Sequence, residues 1–223
     1  DFDYLADGET AIVTVVYELE DTDGDTDQAT VTITITGTND APVVGIADST
    51  GGVTELTDTD AGENVDDLTD TGSIAFSDSD LSDTHTVSSA DNGAGYIGSF
   101  ATVISDPATG DGTGSVDWTF TVNDSLVDSL AVGETIVQSY DVTIDDGNGG
   151  TDTETVTITI TGTNDAPVIG AGDTTGGVTE IADNASGENI DDLTDSGSLA
   201  FSDVDLTDTH TVSSAANGIG YIG

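Results

Sequence analysis

A long internal repeat is the feature that most restricts how this chain can fold. Residues 31–43 read VTITITGTNDAPV, and the same letters return unchanged at residues 156–168, 125 positions later. The same spacing aligns residues 1–98 with residues 126–223 without a gap. A period of this length indicates whole domains in tandem, because the units of a solenoid are much shorter.

The repeat predicts the domain organisation. Residues 43–167 form one complete unit, residues 1–42 are the C-terminal part of a preceding unit, and residues 168–223 are the N-terminal part of the next. We expect the chain to be an excerpt from a longer array. The phrase GTNDAP marks a first joint at residues 37–42 and a second joint at residues 162–167. Joints this short, with a proline that fixes φ, are not expected to act as flexible tethers.

The charge of the chain restricts its partners. It contains no Lys or Arg and 45 acidic residues, which gives a formal net charge of −45. Nucleic acids and anionic membrane surfaces are excluded as partners, because proteins bind both through basic patches. A compact state of this charge repels itself unless cations neutralise it. Two readings stay open together: the carboxylates keep the surface solvated, and some of them are ligands of a hard cation.

The composition suits an extracellular location. The chain has no Cys and no Met, so it carries no sulfur that could be oxidised. It also has no site for trypsin, since Lys and Arg are absent. No stretch reaches the roughly 18 apolar residues of a membrane span, so direct insertion into a membrane is not expected.

Alternating apolar and polar residues predict strands. Residues 31–36 alternate Val or Ile with Thr, and residues 116–123 alternate Val, Trp or Phe with polar residues. Such runs give one apolar face and one solvated face, and the alternation places Trp118 in the core. About seven strands per unit predict an all-β fold of tandem immunoglobulin-like or cadherin-like antiparallel β-sandwich repeats of 125 residues. A single helical turn is predicted over 125–131, with Asp124 or Ser125 as its N-cap.

Three phrases in combination resemble a known family of repeats. DDGNGGTDTET occupies residues 145–155, directly before the repeated VTITITGTNDAPV, and WTFTVNDSLVDSLAVGET occupies residues 118–135. Together they resemble the VCBS repeat of giant bacterial surface adhesins, including those of the RTX type, and the resemblance covers the whole chain. It implies secreted, cell-attached fibres in which β-sandwich modules, rigidified by calcium, project a distal binding domain.

The resemblance implies calcium sites at the two joints. Calcium takes about six to eight oxygen ligands, so a joint site needs oxygens from the linker and from both neighbouring units. The Asn-Asp pair of each linker resembles that of cadherin linkers, and an Asp-x-Asp pair of the following unit resembles a second cadherin element. The corresponding residues are Asn39, Asp40, Asp78 and Asp80 at the first joint, and Asn164, Asp165, Asp203 and Asp205 at the second.

Further ligands are expected from two other segments. Glu55, which recurs as Glu180, is matched to a bridging glutamate of the cadherin type and is assigned to the following unit. Asp145 and Asp146 are the candidates for the preceding unit, because their hairpin comes before the linker. Asp83 ranks behind all of these. For each acid the alternative is a solvated surface residue, since acids are so abundant in this chain.

The sequence favours a structural function. Zinc is not expected without Cys, and the two His are interpreted as ordinary strand residues. An enzyme is not expected, because no Cys nucleophile, Lys base or phosphate-binding loop stands out.

The leading hypothesis is an extender of a bacterial surface adhesin or biofilm-matrix fibre, with Ca²⁺ as cofactor and neighbouring repeats as partners. The alternatives are lateral association with other copies into a filament, and a module that itself binds glycan or protein through Trp118.

Overall fold

The computed structural model describes residues 2–215, and strands dominate it. Among these residues, no helix is long and apolar enough to cross a lipid bilayer. The helical element of this part of the chain is one 3-10 turn, Asp124–Leu126. The strands are β1 (Thr10–Glu20), β2 (Thr26–Thr36), β3 (Val43–Ala47), β4 (Thr50–Thr54), β5 (Asp67–Ser77), β6 (Thr86–Asp91), β7 (Ser99–Pro107), β8 (Thr113–Asn123), β9 (Thr135–Asp145), β10 (Thr151–Thr161), β11 (Val168–Gly172) and β12 (Leu199–Ser202).

Strands β3 to β10 form a sandwich of two four-stranded sheets, in the orders β3-β5-β8-β7 and β4-β10-β9-β6. The predicted all-β sandwich is confirmed. One pairing is not antiparallel: β4 runs parallel to β10. The chain crosses between the sheets after β3, and Gly51 allows this crossing, because a Cβ there would lie 2.6 Å from the Trp118 ring. As a result, β4 and β10 end at the same end of the sandwich.

The core lies between the two sheets, as the alternation predicted. Trp118 is 1% exposed, and its indole N–H donates to the carbonyl oxygen of Asp48 at 2.7 Å. Phe100 stacks on Tyr140 with ring centroids 4.3 Å apart. The other large core residues are Ile74, Phe76, Val116, Phe120, Val122, Val142, Ile144, Val156, Ile158 and Ile160. Because Trp118 is buried and its polar atom is bonded, it is not the exposed aromatic platform that a glycan-binding module needs.

The two flanking sheets repeat parts of the sandwich. β1 pairs with β2 in an antiparallel hairpin, and one repeat later β9 pairs with β10 in the same register. β11 pairs with β12 at positions that correspond to β3 and the end of β5. The assignment of residues 1–42 and 168–223 to neighbouring units stays a prediction.

The predicted helical turn is shorter than expected and has a different N-cap. It spans Asp124–Leu126, and the side chain of Asn123 accepts the Ser125 N–H at 3.3 Å. Asp124 does not cap the turn, because its carboxylate points inward. It accepts the backbone N–H groups of Leu56 and Asn64, each at 2.8 Å. A fully buried carboxylate therefore anchors the segment that follows β4.

Candidate metal centre

At the first joint, hydrogen bonds to carboxylates fix the linker to the sandwich that follows it. The N–H of Asp40 donates to an oxygen of Asp80 at 2.7 Å. The side-chain amide of Asn39 donates to Asp146 at 3.0 Å. The N–H of Val44, at the start of the first strand of the unit, donates to Asp152 at 2.7 Å. The linker therefore has a defined path over the N-terminal end of the complete unit.

A buried acid cluster lies beside this linker. Asp78 and Asp83 come from the loop between β5 and β6, and Asp146 comes from the turn between β9 and β10. All three are buried, and each offers a carboxylate oxygen within 4.8 Å of the others. Asp83 also accepts the side-chain amide of Asn148 at 2.8 Å. Three buried carboxylates at this separation make a ready position for a cation.

Asp146 is held in its charged form. Burial acts to raise the pKa of this carboxyl, but hydrogen bonds from Asn39, Asn148 and Gly150 outweigh it and leave the pKa below its ordinary value. The backbone N–H of Asn148 lies 2.7 Å and that of Gly150 3.0 Å from the same carboxylate oxygen. Hydrogen bonds to the charged form of a carboxyl favour that form. The turn therefore presents a negative charge to the linker at neutral pH.

Two oxygens at the first joint lack a hydrogen-bond partner in the described part of the chain. They are Asn39 Oδ1 and Asp80 Oδ1, and both are buried. Burial raises the pKa of Asp80, while the N–H of Asp40 lowers it and the neighbouring Asp83 raises it again. Buried polar atoms are nearly always partnered in proteins. An amide oxygen and a carboxylate oxygen left over at one place are the kind of ligands that Ca²⁺ prefers.

His85 closes one side of this cluster. It lies just before β6 rather than within a strand. Its Nδ1 is 2.9 Å from the carbonyl oxygen of Pro107, which can only accept, so Nδ1 carries a proton. Its Nε2 is 2.9 Å from a carboxylate oxygen of Asp78. His210 repeats the contact with Asp203, which shows that this loop is built alike in both copies.

At the second joint, Asp165 lies at the centre of two further carboxylate groups. It is 1% exposed, and neither of its oxygens has a hydrogen-bond partner in the described residues. One group combines Asp165 with Glu55 and Asp128, and the other combines it with Asp58 and Glu63. Within each group the ligand oxygens lie within 4.8 Å of one another. Glu55 Oε1 is also buried and unpartnered there.

The preceding sandwich holds this linker through two acids. Glu55 follows β4, and its side chain accepts the Thr163 N–H at 2.7 Å. The backbone N–H of Glu55 donates to the carbonyl oxygen of Thr161 at 3.0 Å, which continues the parallel pairing of β4 with β10. Asp58 accepts the N–H of Ala166. These bonds bring the acids of the preceding unit onto the linker.

The segment after the linker holds it from the other side. The Asp165 N–H donates to Asp205 at 2.9 Å, which repeats the bond from Asp40 to Asp80. Asp203 accepts the Asp205 N–H at 3.1 Å. Asp205 Oδ1 is a further buried oxygen without a partner among the described residues. The linker therefore lies between acids of the sandwich and acids of the segment that follows the linker.

The electrostatics of the second joint show how strongly these acids interact. Burial, and then the negative charges of Asp124, Asp128 and Asp205, raise the pKa of Glu55 to about 7, against one hydrogen bond that lowers it. Burial and neighbouring acids, Glu55 first among them, also raise the pKa of Asp165 to about 7. Two unit charges 4.8 Å apart repel by about 3 kcal/mol at an effective dielectric constant of about 20. Since the chain has no Lys or Arg, the positive charge that would offset this repulsion has to come from protons or from cations in solution.

The structure places two sequence candidates at the joint opposite to the one expected. Glu55 was assigned to the following unit, but it lies at the end of its own sandwich and contacts the second joint. Asp146 was assigned to the preceding unit, but it contacts Asn39 at the first joint. The reason is that β10 runs the length of the sandwich between the turn that holds Asp146 and the second linker, while β4 runs parallel to β10.

Other candidates lie outside the clusters. The Asp40 side chain is exposed, and its backbone supplies the contact to Asp80. Asp145 accepts the Gly147 N–H at 2.7 Å and belongs to the hairpin turn. Asn164 is exposed and donates to the carbonyl oxygen of Asp165. Glu180 is exposed.

Asp58, Glu63 and Asp128 were not named as sequence candidates, and Asp83 was placed behind the other candidates, whereas the structure groups each of the four with other acids. A signal for the three unnamed acids was present in the repeat. Asp58 and Glu63 recur one repeat later as Asp183 and Glu188, although the segment between them changes more than the rest of the repeat. Asp128 likewise has a counterpart one repeat earlier, Asp3, but its approach to Asp165 depends on the fold.

Comparisons with known proteins give structural neighbours only. No family model and no curated protein matches the chain. The cadherin-like domains 1 to 4 of zebrafish RET are similar at 12% identity and a TM-score of 0.34, over 72% of this chain and 35% of that one. The extracellular cadherin domains 1–4 of protocadherin gamma B7 are similar at 16% identity and a TM-score of 0.30, over 66% and 32% of the two chains. This chain therefore spans about a third of each neighbour.

Proposed function

We propose that this chain is a non-catalytic extender segment of an extracellular adhesin or biofilm-matrix fibre, whose joints bind Ca²⁺ and are stiffened by it. The observation that carries the proposal is the side chain of Asp165. It is 1% exposed, has no hydrogen-bond partner for either oxygen in the described residues, and is surrounded by acids. An unpartnered carboxylate among carboxylates is costly to bury unless a cation lies between them.

The chemistry of the donors favours calcium over other metals. The clusters at both joints offer carboxylate oxygens, with the amide oxygen of Asn39 beside them, and the chain has no Cys. Zinc sites are built mainly from sulfur and nitrogen ligands. Mg²⁺ demands a near-ideal octahedron and keeps several waters, whereas Ca²⁺ accepts six to eight oxygens in flexible geometry. Linker and sandwich oxygens that meet at a joint suit the second ion.

The position of the clusters explains how an ion would stiffen the joint. The second linker is hydrogen-bonded to Glu55 of one sandwich and, through Asp165, to Asp205 of the next. A cation among these carboxylates removes their mutual repulsion and binds both sandwiches to one linker. Strands of 11 residues at about 3.3 Å per residue make each sandwich about 36 Å long. An array of such units with stiff joints spans a long distance with few residues.

The resemblance to VCBS repeats supports the wider setting of this proposal. A chain of this kind would work at a bacterial surface or in a biofilm matrix, with its own neighbouring repeats as its principal partners. The acids of the joints are used to hold the units together, so no reaction needs to be assigned to them. The buried Trp118 gives no support to a glycan-binding module.

Small-angle X-ray scattering of the 223-residue chain tests the proposal. Removal of Ca²⁺ with EDTA should shorten or soften the particle, while circular dichroism shows that the sandwich stays largely folded. Asp165→Asn should reduce the response to Ca²⁺. Asp117→Asn, an exposed acid on the outer face of β8, serves as the matched control and should respond like the unaltered chain. Scattering profiles that are identical with and without Ca²⁺ would exclude the proposed function.

A further inference from the structure

We infer that the loop of residues 57–66 carries its own divalent-cation position at the second joint, formed by Asp58, Glu63 and Asp165. This inference rests on the proposed function, since it assumes that the joint binds cations. It adds a second ion beside the one held by Glu55, Asp128 and Asp165. Its consequence is that a bound divalent ion ties the 57–66 loop, which already lies beside the linker, more firmly to the joint.

The shape of the cluster supports a separate position. Asp58, Glu63 and Asp165 each offer a carboxylate oxygen within 4.8 Å of the other two. Asp165 is almost fully buried, and both of its oxygens lack a partner among the described residues. One hydrogen-bond-free oxygen could be explained by a single ion. Because Asp165 belongs to both carboxylate groups and neither of its oxygens is hydrogen-bonded in the described residues, each oxygen is free to bind a different ion.

The loop is held with Glu63 beside the linker by bonds that need no cation. Asn64, the next residue, has φ of 58°, and its N–H donates to the fully buried Asp124 at 2.8 Å. The carbonyl oxygen of Gly62 accepts the N–H of Asp66 at 2.8 Å, which closes the turn. Glu63 is therefore presented at the joint by a preformed turn, and a cation would have little chain entropy to overcome.

Asp58 connects the same position to the linker backbone. One of its oxygens accepts the N–H of Ala166, the residue after Asp165. Desolvation, and then the negative charge of Asp58, raises the pKa of Glu63. A divalent ion here would replace this repulsion by shared coordination and would tie the loop, the linker and the sandwich together.

The third unit contains a matched copy of the loop that lacks the linker acid. Glu188 follows Gly187, as Glu63 follows Gly62, and Asn189 has φ of 59°. The N–H of Asp191 donates to Gly187 at 3.0 Å, so the turn is the same. The linker acid one repeat after Asp165 is not part of this sequence. Glu188 is thus the same residue in the same turn without the third ligand.

The test counts bound Ca²⁺ by equilibrium dialysis for the 223-residue chain and for three variants. Glu63→Gln should bind one ion fewer than the unaltered chain, and Glu188→Gln should bind the same number. Glu55→Gln should also lower the count, because it removes a ligand of the neighbouring position. Circular dichroism checks that each variant is folded.

The outcomes separate the two proposals. If Glu55→Gln loses Ca²⁺ but Glu63→Gln binds as many ions as the unaltered chain, the joint binds cations and the loop position is excluded. If the unaltered chain binds no Ca²⁺, both proposals fail.

Amide hydrogen exchange gives a second measurement. Ca²⁺ should slow exchange in residues 57–66 of the unaltered chain but not in Glu63→Gln, and residues 182–191 should not respond. Equal protection of the 57–66 loop in the unaltered chain and in Glu63→Gln would overturn the inference.

Discussion

At the scale of single residues, the two copies of the linker acid show what creates a buried charge. Asp40 and Asp165 occupy the same place in the repeat, and each donates its N–H to an acid of the following unit. The Asp40 side chain is nevertheless exposed, whereas that of Asp165 is 1% exposed. The difference comes from Glu55 and Asp58 of the complete sandwich, which cover the second linker. Burial here is a property of a joint between two units and not of the Asn-Asp motif itself.

The acids of the second joint predict how stability depends on pH without divalent ions. The pKa values of Glu55 and Asp165 are raised to about 7, from ordinary values of 4.5 and 3.8. Between these limits the folded chain keeps protons that the unfolded chain has lost. Their contribution to stability is therefore complete at about pH 4 and is lost as the pH rises through about 7.

Calorimetric unfolding in EDTA at about pH 5 and about pH 8 measures this effect. The unfolding temperature should be lower at the higher pH, and the double variant Glu55→Gln, Asp165→Asn should show a smaller difference. In saturating Ca²⁺ the difference should shrink, because the ion replaces the protons. A higher unfolding temperature at pH 8 than at pH 5 in EDTA, removed by the double variant, would contradict the assignment.

At the scale of strands, the sequence predicted what is local and missed what depends on pairing. Alternation along β8 places Trp118 on the inward face whatever the neighbouring strand is, and this was confirmed. Strand pairing decides at which end of the sandwich Glu55 and Asp146 lie. β4 pairs with β10 in parallel, across more than 100 residues of chain, and no local pattern encodes that choice. The two acids were therefore assigned to the wrong joints.

The pairing of β5 with β8 predicts the effect of one added methyl group. Gly72 faces Trp118 across these strands, and a Cβ there would overlap the indole ring. Because the ring is buried, Gly72→Ala should lower the free energy of unfolding by about 1–3 kcal/mol. Gly45→Ala in β3 is the control, since its Cβ would meet only the Ala75 carbonyl oxygen at 3.6 Å. Urea denaturation measures the free energy of unfolding of both variants. Equal values would show that the core rearranges to accept the added methyl group.

At the scale of the whole molecule, the net charge of −45 predicts a strong effect of salt. Raising NaCl from about 0.01 M to about 1 M shortens the Debye length from about 30 Å to about 3 Å. In EDTA the unfolding temperature should therefore rise steeply with NaCl, since the repulsion between carboxylates is screened. With Ca²⁺ bound the rise should be smaller, because part of the charge is already neutralised.

Differential scanning calorimetry across the salt series makes this comparison, with KCl in place of NaCl as the control for an effect specific to sodium. If the unfolding temperature in EDTA does not change with salt, the acids do not destabilise the metal-free chain.

The unlike ends of the complete sandwich have a consequence for assembly. One end presents Asp78, Asp83 and Asp146, and the other presents Glu55, Asp58 and Glu63. Asp165 is surrounded by acids of the end that carries Glu55, and its N–H donates to Asp205, which corresponds to Asp80 at the opposite end. Two identical ends placed face to face would not reproduce this arrangement. The covalent chain joins such ends in one order only, so the acids that meet around Asp165 come from two different surfaces and not from a symmetric pair.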